Sequence, residues 1–121
     1  MPDHFEDDRG VIQDLLGPVD AVTRIFTKAG ALRGNHLHQQ TTQWTYIVSG
    51  SLLVVTRDPD GKTETAVYSS GQLACEKPGT AHAWRAQTDC VALVFTKGPR
   101  SGEHYESDTF RLSGDDRLLL P

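Results

Sequence analysis

The chain has only two cysteines, no basic run and no long apolar stretch, and each shortage removes a class of explanation. Cys75 and Cys90 form no CxxC pair, so a zinc–thiolate site has little support. With no secretion signal ahead of them they are expected to stay reduced, as small apolar residues on strands. The charge balance is mildly acidic, 12 Lys and Arg against 16 Asp and Glu, and no aromatic–basic alternation occurs. Nucleic acid is therefore not an expected partner. No apolar segment approaches the roughly 20 residues of a membrane span, and the acidic start Met1-Pro2-Asp3-His4-Phe5-Glu6-Asp7-Asp8 has no apolar h-region. A cytoplasmic protein without a membrane partner is the expectation. Helical periodicity is missing too. The 121 residues fit a single domain, 1–121, able to bury roughly two thirds of its unfolded surface.

What is present is a series of short β-favouring runs punctuated by turn residues every eight to twelve positions. Ile25–Lys28 ends at Ala29-Gly30, Gln43–Val48 at Ser49-Gly50, and Leu52–Thr56 at Asp58-Pro59-Asp60-Gly61. The last is a strong hairpin turn, because Pro presets φ and Gly accepts positive φ. Thr63–Tyr68, Gln72–Glu76, Ala81–Ala86 and Cys90–Thr96 complete the set, and Gly98-Pro99-Arg100-Ser101-Gly102 closes it. Val11–Leu16 reads as one turn or an edge strand, Leu118–Leu120 as a tail that docks, and residues 98–121 as a polar C-terminal extension. An all-β barrel or jelly roll satisfies this pattern best, with its interior available for a site.

Three of the five histidines fall in two of these segments. His36 and His38 are two apart, so a strand would aim both rings at one face. His82 follows Lys77-Pro78-Gly79-Thr80-Ala81, and Gln43 offers an amide oxygen. Three imidazoles and one amide suit zinc, nickel, iron, manganese or copper with little discrimination. Two other readings stay open: a metal-free catalytic pair, and hydrogen-bonded interior histidines.

Gly30, His36, His38, Gln43 and Gly50 resemble the first cupin motif, with Gln where many cupins have Glu. Gly71, Pro78, Gly79 and His82 resemble the second, in order and at the expected spacing. The resemblance implies a cupin jelly-roll β-barrel. The opening Phe5-Glu6-Asp7-Asp8-Arg9-Gly10 is similar to the F-x-D-x-R-G start of sugar-nucleotide 3,5-epimerases, and Arg33-Gly34-x-His36-x-His38 with Gln43 is similar to the dTDP-hexose 3,4-ketoisomerases and the epimerising domain of capsular sugar reductases. The epimerases generally lack the second histidine, and the ketoisomerases a histidine at the place of His82; this chain has both.

The resemblance implies proton transfer beside a carbonyl of a nucleotide-linked keto sugar, with no organic cofactor. His36 and His38 are then the candidate catalytic residues, and His36, His38, Gln43 and His82 the candidate metal ligands. Arg9 and Arg33 are candidates for the phosphates, Tyr46 and Trp84 for stacking on sugar or base. A homodimer is expected, with residues 1–16 a candidate swapped N-terminal strand. The alternative is a metal-binding cupin that serves as a small-molecule binding module or an oxygen-using enzyme.

Overall fold

The computed structural model describes residues 4–98 and 108–121. The expected strands form, each within a few residues of the turn signals that bound it. They run β1 (His4–Asp7), β2 (Gly10–Gln13), β3 (Ala21–Thr27), β4 (Leu32–Leu37), β5 (Thr42–Ser49), β6 (Ser51–Arg57), β7 (Thr63–Ser69), β8 (Leu73–Glu76), β9 (Ala81–Ala86), β10 (Cys90–Lys97) and β11 (Phe110–Arg111). The helical content of the described residues is one 3-10 turn at Gly114–Asp116. All pairings are antiparallel.

Two sheets make the jelly roll, one ordered β3-β10-β5-β8 and the other β11-β4-β9-β6-β7. Between them lies a core of Ile47, Leu52, Val54, Trp84, Ala86, Cys90, Ala92 and Val94. Strand alternation decides who enters it: along β5, Gln43, Thr45 and Ile47 are buried while Trp44 and Tyr46 stay half-exposed on the outer face. The β6–β7 hairpin turns where proline and glycine call for it. Asp58 Oδ1 accepts from the N–H groups of Asp60 and Lys62, each at 2.9 Å, and Gly61 takes φ 89°.

Of the stretch Val11–Leu16, Val11–Gln13 belong to the edge strand β2, which among the described residues pairs with β1 in a separate two-stranded sheet, while residues 14–16 are irregular. This hairpin leaves Phe5, Val11 and Ile12 more than half exposed. Of the expected extension 98–121, residues 99–107 lie outside the described residues, as does most of the closing Gly98–Gly102 segment. The remainder is less polar in its packing than its composition suggests. β11 pairs with β4, and Leu118 is buried against Val55, Ala81 and Ala83, with Leu37, Leu112 and Leu120 around it.

One irregularity positions the site. In β4 the register to β9 shifts between Gly34 and His36, because Asn35 bulges out at φ 59°. The extra residue puts Arg33 and His36, three apart, opposite Trp84 and His82 on the inward face. Asn35, turned outward, binds the tail: Leu118 N–H donates to its Oδ1 at 2.6 Å, and its own carbonyl accepts from Leu112 N–H at 2.8 Å. Gly34 permits the close approach, since a Cβ there would sit 2.8 Å from the His82 carbonyl oxygen, at a φ of 92° that side chains rarely adopt.

Candidate functional site

His36 and His82 are register partners on β4 and β9, and His38 lies one residue past the end of β4. The three rings converge, with one nitrogen of each within 4.8 Å of the others. Between His36 and His82 the two Nε2 atoms are 3.1 Å apart. Two nitrogens bound to one zinc-sized ion, with bonds of roughly 2.0–2.1 Å, lie roughly 3.0–3.4 Å apart, so this spacing fits a shared cation.

The orientation of His38 is built in from outside the two histidine segments. Its Nδ1 donates to the backbone carbonyl of Asp108 at 2.9 Å, which sets the tautomer and leaves Nε2 its lone pair. The Asp108 carboxylate then gathers the β4–β5 loop, accepting from Gln39 N–H at 3.0 Å, Gln40 N–H at 3.0 Å and the Thr41 hydroxyl at 2.7 Å. The second motif closes the other side, where Gly79 N–H donates to the His38 carbonyl at 2.7 Å.

Burial keeps two of the imidazoles neutral. His82 is pushed down to about 3, first by desolvation and then by its histidine neighbours. His36 is pushed down to about 4, first by desolvation and then by His38 and Arg111. Neutral imidazole is the ligating form, so the set of donors fits a divalent metal.

A cavity of about 370 Å³ opens beside the cluster. Its lining includes His36, His82, Gln43, Trp84, Arg33 and Arg111. The Gln43 amide nitrogen donates to Thr45 Oγ1 at 3.4 Å, which leaves its oxygen as an acceptor. Trp84 brings an indole N–H that is buried with no hydrogen-bond partner among the described residues. Arg33 bridges the two sheets, its Nε donating to Thr27 Oγ1 and its Nη2 to the Phe26 carbonyl, both at 3.0 Å. Two of its five N–H donors are thereby used and the guanidinium is held in place.

The other expected site residues lie elsewhere. Tyr46 stands on the outer face of β5, three positions from Gln43, and does not line the cavity. Arg9 is on the β1–β2 hairpin, exposed and paired with Asp7 at 2.7 Å. Within one chain neither reaches the histidines.

Three residues in this region escaped sequence reasoning. Arg111 lies in no motif and arrives through the β11–β4 pairing, opposite His36. Asp108 enters by its backbone carbonyl as much as by its side chain. Glu76, the last residue of β8, is register partner to Gln43; it is 3% exposed, and neither carboxylate oxygen has a partner among the described residues. Burial pushes its pKa up to about 7.

No curated protein sequence matches the chain. Among solved structures it is similar to dTDP-4-dehydrorhamnose 3,5-epimerase from Sulfolobus tokodaii, at TM-score 0.70 and 20% identity over 96% of this chain and 76% of that one. It is similar also to the QdtA 3,4-ketoisomerase of Thermoanaerobacterium thermosaccharolyticum in complex with TDP, at 0.68 and 21% over 92% and 83%. Oxalate decarboxylase from Bacillus subtilis matches at 0.66 and 25%, over 75% of this chain and 23% of that one. The family model described as Cupin matches residues 16–112, which is most of the chain, and with the two-sheet roll and inward histidines in place this chain belongs to the cupin family.

Proposed function

We propose that this cupin moves a proton beside the carbonyl of a nucleotide-linked keto sugar, with a divalent metal held by His36, His38 and His82 and by the amide oxygen of Gln43. The observation that carries the reading is the convergence of three histidine nitrogens beside a cavity whose lining also holds two arginines. Its volume, about 370 Å³, suits a sugar ring and leaves the nucleotide to lie outside it. The similarity to an epimerase and a ketoisomerase of deoxysugar nucleotides supports the substrate class.

When bound, the metal would supply Lewis-acid polarisation of the keto oxygen. The chain's own residues do the rest. Trp84 offers an indole N–H to a substrate oxygen, which would satisfy a donor otherwise buried alone. Arg33 and Arg111 favour the anionic end of the substrate, and Arg33, already anchored to β3, directs its remaining donors without further ordering. In this form His36 and His38 are ligands; in a metal-free enzyme, His36, which lines the cavity, would take the proton itself.

Arg9 joins the site through a homodimer. The β1–β2 hairpin exposes Phe5, Val11 and Ile12, and the outer face of β3 and β5 exposes Val22, Phe26 and Val48. Apolar arms and faces of this kind are covered in an assembly, and a crossing hairpin would carry Arg9 toward the phosphates bound by a second chain.

The test is metal analysis of untagged protein, followed by incubation with 4-keto sugar nucleotides in deuterated water. Stoichiometric metal and deuterium incorporation beside the carbonyl are expected, and both are lost in the His36→Ala, His38→Ala double variant. Bound metal without exchange on any nucleotide sugar would favour the alternative, a metal-binding cupin that serves as a small-molecule binding module or an oxygen-using enzyme.

A further inference from the structure

Glu76 is a buried acid whose place in the barrel no ion pair or hydrogen bond among the described residues explains. It is 3% exposed, it ends β8, and its register partner across the sheet is Gln43. Partners in an antiparallel pair share a face, with Cβ atoms roughly 4.5–5.5 Å apart. Gln43 faces inward and lines the histidine cavity, so Glu76 faces inward one strand further along the same wall. Both of its oxygens are buried without a hydrogen-bond partner among the described residues, and no salt bridge to it is found there.

A buried carboxylate without a partner is costly, and burial of this kind persists where a cation or hydrogen-bond donors offset it. Among the described residues no salt bridge reaches it, and the donors on neighbouring strands, the Gln43 amide, the Thr45 hydroxyl and the Tyr68 phenol, make no hydrogen bond to it. The inward face it shares with Gln43 borders the cavity where three histidine nitrogens lie within 4.8 Å of one another, two of them 3.1 Å apart, and a cation held there would call for negative charge. A divalent ion on three imidazoles and an amide carries its full charge into the barrel, and Gln43 brings no anion to meet it.

We infer that Glu76 is the charge-compensating carboxylate of the metal centre, set on β8 behind Gln43 rather than on β5 at position 43 itself. Glu76 stands outside the 4.8 Å cluster of histidine nitrogens, so it acts across the Gln43 amide on the bound ion and makes that amide oxygen a better donor. The inference rests on the metal-bound reading given above. It predicts that the negative charge can be moved between positions 76 and 43, because the two residues are direct cross-strand partners.

The experiment is a chelator competition titration with Zn²⁺ on the wild-type chain, on Glu76→Gln and on the exchange variant Gln43→Glu, Glu76→Gln. Glu76→Gln is expected to weaken zinc binding about 10- to 100-fold, the range found when a residue supporting a ligand is lost. The exchange variant is expected to recover the wild-type affinity. If Glu76→Gln, folded by circular dichroism, binds zinc within twofold of wild type, Glu76 has no part in the centre and the inference falls while the histidine site stands. If the wild-type chain binds no zinc, the histidine reading fails first and the inference goes with it. Infrared difference spectra of the wild-type protein with and without zinc serve even if the variant does not fold. Zinc should change the bands of the carboxyl and carboxylate stretching region, and spectra without any such change would overturn the assignment.

Discussion

Without metal, the same carboxylate should make the protein less stable as the pH rises, and the size of the effect follows from its burial. Desolvation raises Glu76 from 4.5 to about 7 in the folded chain. Between those values the folded state holds a proton that the unfolded chain has released, so the folded state is penalised progressively as pH rises through this window. Linkage puts the penalty below about 1 kcal/mol at pH 5 and at about 3 kcal/mol at pH 8, a difference of about 2 kcal/mol. Glu76→Gln removes the titration and keeps the side-chain volume. Whatever the buried amide costs is the same at both pH values and cancels in the comparison. His36 and His82, lowered to about 4 and about 3, act in the other sense: the unfolded chain takes up their protons, so stability is lost as pH falls below their ordinary value of 6.5. That contribution is common to both proteins. The assay is urea unfolding of chelator-treated protein at pH 5 and pH 8, followed by tryptophan fluorescence. The variant should gain about 2 kcal/mol on the wild type between the two conditions. An equal difference at both would mean that Glu76 does not titrate in the barrel, and the burial argument would be wrong.

Three further outcomes are expected. Gln43→Glu adds an anion beside the cavity and should raise zinc affinity tenfold or more, about 1.4 kcal/mol per decade, by competition titration; unchanged affinity would place residue 43 away from the ion. Asp108→Ala removes the acceptor of two backbone N–H groups and the Thr41 hydroxyl, and should cost about 2–4 kcal/mol in urea unfolding. Gly34→Ala forces a side chain into positive φ and against the His82 carbonyl, and should cost more than about 2 kcal/mol while also weakening zinc binding, because the β4–β9 register sets the His36–His82 distance.

The strands were legible because glycine and proline mark their ends by conformational need, as at Pro59 and Gly61, and these are local facts. His36, His38 and His82 were legible because period two and a pair of motifs name them without knowledge of strand pairing. Tyr46 could have been excluded by the same arithmetic: three positions from Gln43 on one strand, it must face the other way. Glu76, Asp108 and Arg111 were not legible, since each depends on which strand or loop lies beside which. Glu76 matters only because β8 lies next to β5, and Arg111 only because β11 returns to β4. The Asn35 bulge was hidden too, because nothing in Arg33-Gly34-Asn35-His36 announces that one residue will be skipped.

The grip of the last segment on β4 makes the order of synthesis part of the site. The ring of His38 is oriented by the Asp108 carbonyl, Arg111 pairs beside His36, and Asn35 holds Leu118. All three partners leave the ribosome after the last of the histidines that they organise. A nascent chain that has already made both histidine segments therefore carries imidazoles not yet oriented. On the proposal that they hold a metal, selectivity by a rigid cage would begin only once residues 108–118 have docked, so the choice of metal would fall after that part of the chain is made.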